Sequence, residues 1–107
     1  MKLKDVDYFT WVLYDGRPYN VREIFGCKRE LRHSDGIKIR IRFDKEVEVL
    51  EVPTFTKGQS VIFTGNVQSK KGKMMTITHV NDELKYRPYT LDNILYATPF
   101  EIIPVNY

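Results

Sequence analysis

The chain has 107 residues, 42% hydrophobic and 13% aromatic, with 17 Lys and Arg against 14 Asp and Glu and a formal net charge of +3. That balance excludes a disordered polyelectrolyte, and the length reads as one domain with a single modest core. One cysteine, Cys27, excludes an internal disulfide and fits a reducing compartment. The start MKLKDVDYF lacks the apolar run of a signal peptide, and no stretch nears the roughly 18 apolar residues of a membrane span, so the expectation is a cytoplasmic protein with no membrane partner.

Phe9 to Tyr14, FTWVLY, has strand propensity and stops at the turn signal DGRP. Phe9, Trp11 and Leu13 share one face and read as core. In NVREIFG, Asn20 would cap a short helix, with Glu23 closing a capping box and Gly26 ending it. HSDG marks a turn. Ile37 to Phe43, IKIRIRF, is the clearest strand: Ile37, Ile39, Ile41 and Phe43 fall on one face, Lys38, Arg40 and Arg42 on the other. VEVLEV starts in the same alternation and changes phase at Leu50, which a bulge would reconcile, and Pro53 ends the strand or places it on an edge.

Ser60 to Gln68 places Val61, Phe63, Gly65 and Val67 on one face, with Gly65 marking a bend or bulge. SKKGK is a turn, and Met75 and Ile77 continue the inward face of the returning strand, with Thr76 and Thr78 outward. In TLDNILYA, Thr90 would cap a short helix whose apolar stripe is Leu91, Ile94 and Leu95. FEIIPV closes the chain as a last strand. No internal repeat stands out. Five or six short strands with one or two helical turns, closely spaced by turn signals, predict a mainly β small barrel.

The run Lys57-Gly58, Val61, Phe63, Gly65, Val67, then Lys70, Lys71, Gly72 and Ile77 resembles the first hairpin of an OB-fold. The resemblance covers Lys57 to Val80 and implies a five-stranded barrel that binds oligonucleotides across one face. Only 27 residues follow Val80, so the N-terminal half would have to supply strands in a permuted order, or the barrel is of another small kind such as an SH3-like one.

From Lys28 to Arg42 the chain carries Lys28, Arg29, Arg32, Lys38, Arg40 and Arg42 against Glu30 and Asp35. The next stretch is acidic through Glu46, Glu48 and Glu51, and the later turn is basic again through Lys70, Lys71 and Lys73. Clusters of one sign favour a polyanion even when the total charge is small. Two readings of IKIRIRF stand. Its cations track a phosphate backbone, or they form a solvated face neutralised by Glu48 or Glu51 across a tight FDKE hairpin. The turn SKKGK likewise reads as a phosphate grip or as an ordinary solvated turn.

Tyr8, Phe9, Trp11, Tyr14, Tyr19, Tyr86, Tyr89, Tyr96 and Tyr107 offer rings for stacking, best where tyrosine neighbours a cation, as in KYRPY with Tyr86, Arg87 and Tyr89. His33 and His79 are the only histidines, and His79 reads as a structural residue. With no zinc spacing, phosphate loop or nucleophile elbow, no catalytic residue, metal or cofactor is expected. The first reading is a non-catalytic binder of single-stranded DNA or RNA. Phosphates would meet Lys38, Arg40, Arg42, Lys70, Lys71 and Lys73, with stacking on tyrosines beside Arg87. The alternative is a protein-interaction module that uses an aromatic-rich surface or an exposed strand edge.

Overall fold

The computed structural model describes residues 1–105. The protein is mainly β, with 46% of its residues in strands and 3% in helix. The chain divides into two compact units, Met1–Glu51 and Val52–Tyr107.

Unit 1 opens with a 3-10 turn, Leu3–Asp5, followed by β1 (Trp11–Tyr14), β2 (Arg17–Phe25), β3 (Lys28–His33), β4 (Lys38–Arg42) and β5 (Glu48–Val49). They form one antiparallel sheet in the order β4-β3-β2-β1-β5. Asp15 and Gly16 join β1 to β2 with φ of 53° and 74°. Both central residues of a tight hairpin need that left-handed region, which is why Asp-Gly serves here. Val12, Tyr19, Val21 and Leu31 point to one face, where Leu3, Val6 and Val47 join them, and Ile39 and Ile41 pack alongside. Each fully buried aliphatic side chain here contributes about 1.5–3 kcal/mol.

Unit 2 holds β6 (Ser60–Phe63), β7 (Met74–Val80), β8 (Tyr89–Leu91), β9 (Leu95–Ala97) and β10 (Ile102–Pro104). Their order is β10-β6-β7-β8-β9, again antiparallel throughout. Its core gathers Phe55, Val61, Phe63, Met75, Ile77, Tyr89, Leu91, Ala97 and Ile102. The buried residues thus fall into two clusters, one per unit, where the length reads as a single core.

The two sheets share one connectivity. Four strands meander, and the fifth returns to the free side of the first, an order compatible with a small β-barrel. In both, the register shifts between the second and third strands, at Val21/Ile24 and at Ile77/His79. A bulge bends a strand and increases its twist, and one of the two sheets is curled into a half-barrel.

Both expected helices are strands. NVREIFG lies in β2, where Asn20 is buried and its side-chain amide donates to the Phe9 carbonyl at 3.0 Å instead of capping a helix. TLDNILYA is the β8–β9 hairpin, because Asp92 and Asn93 adopt φ of 49° and 60° and turn the chain. Asn and Asp are the side chains that tolerate this region best. With KRELRH also extended as β3, the strand count rises from the expected five or six to ten among the described residues.

Phe9, expected in the core beside Trp11, is 40% exposed with φ of 63°, while Trp11 is buried. The phase change in VEVLEV needs no bulge. The Val47 N–H donates to Met1 and the Leu50 N–H to Trp11, so the segment changes partners instead. β6 stops at Phe63, and Val67 is exposed in the loop that follows.

Gly65 sits in that loop for lack of room. A Cβ there would collide with the Glu101 carboxylate and the Phe63 ring. The Thr64 N–H also donates to the Glu101 carbonyl at 2.6 Å, holding the two segments together.

Candidate nucleic-acid interface

In an antiparallel ladder, residues directly opposite each other share a face. β3 and β4 oppose Lys28 to Arg42, Glu30 to Arg40, and Arg32 to Lys38. The three cations expected on β4 are therefore joined by Lys28 and Arg32 of β3, giving five on one face with Glu30 as the acid among them. Two of the three rows set like charges opposite each other, an arrangement that destabilises a sheet.

Acids touch Arg40 and Arg42 on this face. Arg40 Nε lies 4.0 Å from Glu30 Oε1, and Arg42 forks onto Asp44 with Nε–Oδ1 and Nη2–Oδ2 both at 3.3 Å. The hydrogen bond to Arg42 holds the Asp44 carboxyl below its usual range, and the hydrogen bond to Asp44 raises the Arg42 guanidinium. That link is present at neutral pH and lost as pH falls through the lowered Asp44 value.

The expected neutralisation by Glu48 or Glu51 does not form. FDKE is not a hairpin between paired strands, because β5 pairs with β1 at the opposite edge of the sheet, four strands from β4. Glu48 lies opposite Leu13 there, Glu51 is exposed beyond the strand, and Glu46 meets the Met1 amine at 3.1 Å.

Arg40 also sits over an aromatic ring, its guanidinium carbon 3.9 Å from the centroid of Phe25. Phe25, on β2, opposes Lys28 of β3, so it belongs to the same face. The result is a cationic surface that carries an exposed guanidinium–aromatic stack.

Arg29, which alternates with Lys28 and Glu30, points the other way and is buried. Its guanidinium donates to the carbonyls of Arg22 at 2.8 Å, Leu3 at 2.7 Å and Val6 at 2.5 Å. Burial pushes its pKa down, and the nearby Tyr8 and Asp7 raise it. This buried cation hid the pattern in KRELRH, since inward positions occupied by Arg29 and His33 do not read as an apolar face.

In unit 2, Lys70, Lys71 and Lys73 stand on the loop before β7, which is closed by main-chain bonds from the Lys70 and Lys71 N–H groups to Val67 and from Gly72 to Phe63. Tyr86 and Arg87 stand on the loop after β7, the Arg87 guanidinium carbon 5.2 Å from the Tyr86 ring centroid. The seven residues of β7 separate these loops by about 20 Å at the usual rise per residue. The lysine tip and the KYRPY aromatics are therefore not one site.

Tyr89 is 5% exposed, and its hydroxyl accepts the Phe55 N–H at 3.1 Å with the two rings edge-on. It is a core residue, placed inward by its opposition to Val80 and Ala97. Tyr107 lies outside the described residues. His79 is exposed on β7.

Among the described residues no cluster of His, Cys, Asp and Glu could hold a metal ion, and no helix is long and apolar enough to cross a membrane. No family model, curated protein or solved structure matches the chain.

Proposed function

We propose that the protein binds single-stranded nucleic acid through the outer face of β3 and β4. The observation that carries this reading is the register that brings Lys28 and Arg32 of β3 onto the same face as Lys38, Arg40 and Arg42 of β4. Five cations gathered on one face, with Glu30 beside Arg40 and Asp44 beside Arg42, make a field that favours a polyanion. Alternate cations along a strand are about 6.6 Å apart, near the spacing of successive phosphates along an extended strand. The Arg40–Phe25 stack favours an unpaired strand, because bases free of a duplex can stack on guanidinium planes and rings.

The test is a gel-shift or anisotropy titration with single- and double-stranded oligonucleotides over a salt series. Affinity for the single strand should fall linearly in log–log form, with a slope of about −0.7 per phosphate neutralised. Replacing Lys38 and Arg40 with Ala should flatten that slope by about 1.4. Glu30→Gln in the same series should tighten binding by freeing Arg40. Absence of binding at low salt would remove the proposal.

A second reading has its own observation. On the outer face of unit 2, Ile103 opposes Ile62 and Ile62 opposes Met74, a row of three apolar side chains across β10, β6 and β7. Ile103 and Met74 are exposed, and such a row suits a protein partner. This reading expects a stoichiometric complex recovered after nuclease treatment. Release of the partner by nuclease counts against it.

A further inference from the structure

The outer face of β7, β8 and β9 carries His79, Thr90 and Tyr96 in one row, His79 opposite Thr90 and Thr90 opposite Tyr96. They line an open trough of about 540 Å³ together with Asn81, Leu84 and Asn93, among others. That volume is within the range of small-ligand sites. Strands lie about 4.8 Å apart, so the two ring-bearing strands are separated by about 9.6 Å with the short Thr90 side chain between them. A flat group stacked on both rings needs about 7 Å between ring planes. The slot therefore has room for one planar ring standing on Thr90.

The lining of the trough contains no Lys, Arg, Asp or Glu, so a charged ligand would find no counter-charge there. It does contain hydrogen-bonding groups without protein partners. Tyr96 is 63% exposed, and among the described residues the His79 ring, the Tyr96 hydroxyl and the Asn93 side-chain amide make no hydrogen bond. Asn81 uses its Oδ1 to accept the Glu83 N–H at 3.1 Å and keeps its amide donors free. A neutral, planar, aromatic ligand edged with donors and acceptors is the class that uses all of these features.

We infer that this trough is a nucleobase site, with His79 and Tyr96 stacking on the two faces of the base and Asn81 and Asn93 reading its edge. The inference deepens the nucleic-acid reading but uses none of the cations on which that reading rests.

The experiment titrates the full-length, isotope-labelled chain with adenosine monophosphate and, separately, with ribose 5-phosphate, following the ring resonances of His79 and Tyr96. The base should move both sets upfield, and the sugar phosphate should leave them in place. An oligoadenylate that saturates the same shifts at a tenfold or lower concentration assigns the base to a strand, whereas equal affinity assigns it to free nucleotide. Silence towards adenosine monophosphate, or equal shifts with ribose 5-phosphate, would overturn the site. Tyr96→Ala should weaken oligonucleotide binding about tenfold, within the usual range for a lost stack, with the salt slope unchanged. Tyr96→Leu provides the same test should the alanine variant fold poorly. Unchanged affinity in a folded Tyr96 variant sinks the nucleobase site and leaves the basic face standing. A Lys38 and Arg40 double variant with an unaltered salt slope does the reverse.

Discussion

Arg29 shows how one side chain ties a small unit together. Its guanidinium supplies donors to three main-chain carbonyls, two from the 3-10 turn region and one from β2. Arg29→Met would keep much of the volume and leave those carbonyls without a donor. The expected cost is about 2–4 kcal/mol, because unsatisfied buried acceptors are expensive and charge-assisted bonds are the stronger ones. Arg29→Lys should recover only part of it, since an ammonium lacks the planar fork. Urea denaturation measures both, and wild-type stability in Arg29→Met would refute the role. The lowered pKa disfavours the charged form, yet the group stays protonated across neutral pH in both folded and unfolded chains. Its contribution should therefore be flat with pH in that range.

At the scale of elements, the loop between β6 and β7 is set by close packing. Gly65 meets the Phe63 ring and the Glu101 side chain where a Cβ would go, and Phe63 is fully buried and cannot swing aside. Gly65→Ala should destabilise unit 2 by about 1–3 kcal/mol, as overpacking does, and Gly65→Val by more. A thermal melt of Gly65→Ala coinciding with wild type would show that the loop relaxes instead. The same glycine, read along the chain, marks a strand bend. Its position was visible in the sequence, but its cause was not, because Glu101 is 36 residues away. The two mistaken helices have a related origin. Capping residues and short apolar stripes are local signals, and ladder pairing to β3 and β7 overrode them.

At the scale of the molecule, one connectivity occurs twice, yet no repeat is legible along the chain. The shared features are strand order and the position of a register shift, and neither demands particular residues. Inward positions accept Val12 and Leu31 in one sheet as readily as Phe63 and Met75 in the other. The outer faces of the second to fourth strands differ in chemistry: cations in unit 1, and His79, Thr90 and Tyr96 in unit 2. By itself the sequence determined the β class, the alternation that put Lys38, Arg40 and Arg42 on one face, and the inward Val61, Phe63, Met75 and Ile77. Those follow from side-chain period, a property of the local backbone. Only the tertiary structure decided that Lys28 and Arg32 join those cations, that Glu48 stands four strands away, and that Tyr89 is core while Tyr96 is free. Each of those facts depends on which strand lies beside which, and hydrogen-bonded neighbours are chosen by burial across the whole sheet.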